Sequence, residues 1–218
     1  MRVTFLLCIL FAALPPVMAQ APSGNQEFNE AARMQPDLAR GAELFRVCVA
    51  CHGPGGGGTP EGDVPAIAGQ HARVIVRQLV DYRHADRWDV RMEEVAGTHN
   101  LRQLRDLADV AGWVSRLPVE RAPGLGDGSN ASAGRTAYQA SCAGCHGADG
   151  EGNGALLVPR VAGQHYRYLL RQLHDTLEGR RPNMPPPHAD LLVGMDVNEL
   201  TGLADYLSRL RPARQLAR

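Results

Sequence analysis

Two short stretches carry the residue types that do chemistry. Cys48-Val49-Ala50-Cys51-His52-Gly53 recurs 94 residues later as Cys142-Ala143-Gly144-Cys145-His146-Gly147. Cys-x-x-Cys-His is the attachment sequence of a c-type haem. Two thiols three residues apart add to the two vinyl groups of one porphyrin. The His that follows then lies under the ring, where its imidazole ligates the iron. Other chemistry open to these residues fits less well. A zinc site joins two Cys-x-x-Cys pairs, or one pair with two His; here the pairs are far apart and each is followed at once by His. A thioredoxin-like redox pair needs a βαβ setting, and the sequence shows no convincing period-two alternation. Structural disulfides suit exported chains, but they give no reason for a His in the same slot twice. The residues ask for two covalently bound haems c, attached through Cys48, Cys51, Cys142 and Cys145, with His52 and His146 as iron ligands.

The sixth ligand position at each iron separates electron transfer from ligand chemistry. The sequence offers Met92, 40 residues beyond His52, and Met184, 38 beyond His146 and set among prolines in Pro182-Asn183-Met184-Pro185-Pro186-Pro187. A Met between prolines is poorly suited to the role of flexible core filler. Similar lengths follow each one: 15 residues from Met92 to Leu107 and 16 from Met184 to Leu200. His84, His99, His174 and His188 are alternatives, with solvated surface as the ordinary reading of such His. Met195, where the last helix begins, reads as packing. Pro65 and Pro159 each lie 13 residues after a motif His. A metal-bound His gives its other ring proton to an acceptor, and the carbonyl of this Pro is the expected one.

These residues must be positioned twice by the same elements. Pro65, Ala68, Gly69, Gln70 and His71 recur as Pro159, Ala162, Gly163, Gln164 and His165, and Arg77-Gln78-Leu79 as Arg171-Gln172-Leu173. Two tandem copies of one domain account for the pattern. Pro118 to Asn130, rich in Gly and Pro, reads as the linker. Helical spacing of apolar residues predicts helices over 37–50, 70–85 and 101–117, and again over 132–143, 164–177 and 197–210. Gly41 and Gly134, with Phe45 and Tyr138 four residues on and Trp113 and Tyr206 in the last helices, predict a close helix crossing in each copy. The fold class is all-α.

The start of the chain reads as a leader. Arg2 precedes an apolar run from Val3 to Leu14, and Val17-Met18-Ala19 has the small-x-Ala form of a cleavage site. The run is shorter than the ~20 residues a membrane span needs. The domains are then 1–19 as signal peptide, 20–121 as the N-terminal domain and 122–218 as the C-terminal domain. The whole chain has 23 cations, all Arg, against 23 acids. That balance excludes a general nucleic-acid binder, which needs a basic excess.

Together, the two Cys-x-x-Cys-His-Gly motifs, the Pro-x-x-Ala-Gly-Gln-His segments and the Arg-Gln-Leu helices resemble the diheme cytochromes c of the c4 group, tandem class I cytochromes c. The resemblance covers roughly residues 37–210. It implies two small helical domains related by pseudo-twofold symmetry, with His/Met iron: His52 with Met92 and His146 with Met184. It further implies a periplasmic electron carrier rather than an enzyme. Its donor would be a quinol-oxidising complex or a dehydrogenase, and its acceptor a terminal oxidase or other periplasmic protein. Membrane contact would come only through those partners. The two loops before the Met residues differ in length, which departs from the family pattern. The alternatives are a haem subunit of a larger dehydrogenase and a diheme enzyme such as a peroxidase or thiosulfate dehydrogenase.

Overall fold

The computed structural model describes residues 22–59, 61–119 and 124–211. The expected leader at 1–19 and the junction near residue 121 lie outside the described residues. The first repeat contains α1 (Gly24–Ala31), α2 (Leu38–His52), α3 (Ala72–Arg83), α4 (Val90–Ala96) and α5 (Leu104–Val114). The second contains α6 (Ala131–Ser141), α7 (Ala143–His146), α8 (Tyr166–Leu177), α9 (Pro186–Val193) and α10 (Val197–Arg209). Among the described residues extended pairing is limited to an isolated bridge between Asn153 and Val158, so the all-α expectation holds. None of the described helices is long and apolar enough to cross a membrane.

The helices start where the sequence supplies caps. The Asp37 carboxylate accepts from the Arg40 amide and opens α2. Asp196 and Glu199 form a reciprocal capping box at the start of α10, the arrangement that satisfies two of the free amides at a helix N-terminus. Three helices go beyond the periodicity. α1 opens on a Ser23–Gln26 capping box. α4 opens on Asp89, whose carboxylate accepts from the Arg91 and Met92 amides. α9 begins with Pro186 and Pro187, whose fixed φ suits the first helical positions. Each is shorter than the window over which a 3.6-residue period can be read.

The helix crossing in each repeat is as close as the glycines suggested. A Cβ on Gly41 would fall 2.1 Å from the Asp109 carbonyl oxygen, and one on Gly134 would fall 1.9 Å from that of Gly202. Both obstacles are backbone, so α2 on α5 and α6 on α10 admit no side chain there. Phe45 and Tyr138 fill the space beside the crossings and are buried, and the Tyr138 ring lies 5.6 Å from that of Tyr206. Arg40 adds an ion pair to Asp109 at 2.5 Å across the first crossing.

The two cores are unequal. The first gathers Phe28, Phe45, Val76, Val80, Leu107, Val110 and Val114 among others, with α1 as an added wall. The second is built on Tyr138, Leu169, Leu203, Ala204 and Leu207. Replacing Gly134 by Ala should lower the denaturation midpoint of the haem-loaded protein, by the equivalent of roughly 1–3 kcal/mol for an overpacked contact. Gly144→Ala, whose added methyl meets nothing within 4 Å, should leave it in place.

Candidate functional site

Each Cys-x-x-Cys-His sits at the C-terminal end of the first long helix of its repeat. In α2 the two thiols and the imidazole fall within the last turn and a half. In the second repeat the chain resets at Cys142, and α7 carries Cys145 and His146. All four cysteines are free thiols: Cys48 and Cys142 half-buried, Cys51 and Cys145 exposed. Burial, then the neighbouring Cys51, pushes the Cys48 thiol up to about 11. Burial moves Cys142 the same way. A reactive dithiol would have a lowered value, so these are not poised as a redox pair.

The imidazoles are held as the spacing from Pro65 and Pro159 predicts. The His52 Nδ1–H donates to the Pro65 carbonyl at 2.9 Å, and that of His146 to the Pro159 carbonyl at 3.0 Å. A carbonyl only accepts, so Nδ1 carries the proton and Nε2 keeps its lone pair for a metal. The loop that returns the Pro closes on glycine. Gly58 and Gly152 have φ of +74° and +71°, and their amides donate to the His52 and His146 carbonyls at 2.9 and 2.8 Å. A Cβ on Gly58 would lie 2.3 Å from the Val64 carbonyl oxygen. Burial lowers the titration of both His52 and His146, the Pro carbonyl opposing it, which keeps the rings neutral and able to ligate. Free thiols, a neutral imidazole with one nitrogen fixed, and a glycine-walled loop fit a covalent haem at each motif. Cys48, Cys51 and His52 would hold one, and Cys142, Cys145 and His146 the other.

Of the sixth-ligand candidates, Met92 is the third residue of α4 and packs against the first core. Met184 precedes α9, its amide donating to the Arg181 carbonyl at 3.1 Å. Met195 packs against the second core, as expected. His188 lies in α9 with its ring centroid 6.4 Å from that of His146 and the planes at 74°. Burial, then His146 and Arg181, pushes His188 down to about 4.

The Gln-His pairs that recur after each Pro have a role that repetition alone did not reveal. They join the repeats reciprocally. Gln70 Nε2 donates to the Arg160 carbonyl at 3.0 Å, and its Oε1 accepts from the Arg160 amide at 2.9 Å. Gln164 makes the same two bonds to Ala66, at 2.7 and 3.0 Å. His71 Nε2 donates to the Glu151 carbonyl and His165 Nε2 to the Gly57 carbonyl, both at 2.8 Å. Beside them Arg87 is buried between the repeats, donating to the Tyr168 hydroxyl at 2.6 Å and to Gln172 at 2.7 Å. Burial, then the charge of Arg87, lowers its counterpart Arg181 to about 10. The available signal was the exact recurrence of Gln and His at one offset, since an isologous contact repeats every residue twice.

The family model for cytochrome c matches this chain twice, over residues 38–117 and 131–211. The chain is 33% identical over 162 residues to cytochrome c4 of Azotobacter vinelandii, covering 67% of this chain and 75% of that protein. It is 27% identical over 210 residues to a thiosulfate dehydrogenase electron acceptor of Stutzerimonas stutzeri, covering 91% of each. The crystal structure of reduced cytochrome c4 from Pseudomonas stutzeri superposes with a TM-score of 0.71 at 26% identity, over 81% of this chain and all of that one.

Changing Cys142 and Cys145 together to Ala should leave a chain whose intact mass carries one haem instead of two. The second repeat, with the smaller core, should lose its helical signal while the first keeps its own. Retained second-repeat helicity, read by amide exchange, would show that this repeat folds without the group.

Proposed function

This chain belongs to the cytochrome c family, within its diheme c4 group, and as such is a diheme electron-transfer cytochrome; we propose that it shuttles single electrons through the periplasm. The donor is a quinol-oxidising complex or a dehydrogenase, and the acceptor a terminal oxidase or other redox protein. In this reading, cleavage after Ala19 releases the mature chain, with domains at 20–121 and 122–218. The observation that supports it is the pairing of two equivalent imidazole sites across one reciprocal interface. When bound, a haem supplies a one-electron couple at its iron.

The chain's own residues fix and shield those couples. Pro65 and Pro159 hold the rings of His52 and His146 in one tautomer and orientation. Burial of His52 keeps water from the proximal side of the first site. Met92 is the sixth ligand of the first iron. The sixth position of the second falls to the stretch from Met184 to His188. The Gln70 and Gln164 bridges tie the loop beneath one site to that beneath the other. This arrangement suits rapid electron exchange between two fixed sites better than substrate turnover at one of them. The relative named for its role as an electron acceptor of thiosulfate dehydrogenase spans nearly the whole chain and favours a dehydrogenase among the donors.

Rapid mixing of the oxidised holoprotein with a quinol-oxidising complex and, separately, with a thiosulfate dehydrogenase identifies the donor. Both haems should be reduced together after redistribution. With the mature chain close to neutral, long-range steering is weak. The rate should therefore change less than about tenfold as the Debye length falls from ~30 to ~8 Å. Steady oxidation of thiosulfate by the protein alone would make it an enzyme instead.

A further inference from the structure

The two short helices α4 and α9 are equivalent, and their register singles out a residue that linear spacing passes over. Each opens after the third long element of its repeat, and each buries one residue: Ala96 in α4 and Leu192 in α9. Four positions before each of these, on the same helical face, stand Met92 and His188. Both are the third residue of their helix. Met184 instead lies just before the N-cap Pro185, the position held in the first repeat by Trp88, which is 59% exposed. The segment from α8 to α9 is two residues longer than that from α3 to α4. Counting from the motif His therefore sets Met184 against Met92, while the fold sets His188 there.

The contacts agree with the register. The ring centroids of His188 and His146 are 6.4 Å apart with steeply inclined planes. Two imidazoles bound to opposite sides of one ion, each with nitrogen at about 2 Å, would have centroids roughly 6 Å apart. Nδ1 of His188 is buried with no hydrogen-bond partner, so the ring still has polar capacity to satisfy. The residue before Met184 is drawn elsewhere: Asn183 Nδ2 donates to Asp81 of the first repeat at 2.7 Å. We propose that His188, rather than Met184, is the sixth ligand of the second iron, giving one His/Met and one His/His site in a single chain. This rests on haem attachment at Cys142 and Cys145.

The holoprotein first receives a pyridine haemochrome count. A single haem would overturn the attachment reading, and the ligand assignment with it. With two haems, the oxidised protein should show a thioether charge-transfer band in the near infrared at the intensity of one haem per chain, not two. His188→Met should double that band and raise one of the two potentials, because thioether ligation raises the potential. Met184→Leu should leave the band and both potentials unchanged. If the His188→Met protein does not fold, His188→Ala provides the readout: the second haem should lose its low-spin spectrum and regain it with added imidazole. A wild-type band of two-haem intensity, or loss of half the band in Met184→Leu, would overturn the assignment in favour of Met184.

Discussion

The bond from a histidine Nδ1 to a carbonyl 13 residues ahead is the constraint around which each repeat is arranged. To make it, the chain must leave the helix at once, turn through a glycine with positive φ, and bring a proline back beneath the ring. Gly53 and Gly147 end the helices and Gly58 and Gly152 close the loops, so the imidazole is oriented by backbone rather than by the packing of its own side chain. The residue immediately after that proline, Ala66 or Arg160, is held at both its amide and its carbonyl by the other repeat's glutamine. Ligand orientation in one half is thereby tied to the presence of the other half. A displacement of the repeats would pull on the loops that carry both proline carbonyls.

Within this symmetry the halves differ in ways that bear on their stability and potential. The first repeat has an additional helix, a broader apolar core and a capped, charged approach to Met92. The second has fewer buried side chains and a proline-rich approach to α9. Small domains with thin cores depend on added cross-links or prosthetic groups. The second repeat therefore depends more heavily on its haem, while the first has more of its own interior. Arg87 and Arg181 occupy matching places between the repeats but differ in partners, Arg87 finding Gln78, Tyr168 and Gln172 while Nε of Arg181 has none. The local fields at the two sites are unequal for that reason.

Much of this was legible in the sequence because the chemistry demands fixed order at short range. Cys-x-x-Cys-His, the proline at a set distance and the glycines at the helix crossings are local requirements, and the structure satisfies each of them: the four thiols are free, both carbonyls reach their rings, and both crossings exclude a Cβ. The long amphipathic helices were legible from their period. Less legible were features that depend on loop length or on the other repeat. Gln70 and Gln164 stood out as repeated residues, but their partners are about 90 positions away and are backbone atoms, which carry no side-chain signature. The two-residue difference before α9 shifted the register between the repeats. It paired Met184 with Met92 by count, although the helix equates Met92 with His188.

The reciprocal glutamine contact has a consequence for how such a chain is assembled. Each repeat presents to the other the same donors and acceptors that it receives, so the face recognises its own copy. A single repeat would meet that face only by bimolecular encounter. The covalent connection between the halves converts this into an effective concentration of the order of millimolar for a short linker, and a modest set of hydrogen bonds is then enough to keep the pair closed. The same self-recognition exists between two separate chains, because nothing in the paired atoms marks which polypeptide they come from. The length of the connection, rather than any added contact, favours folding back within one molecule over exchange of halves between neighbours.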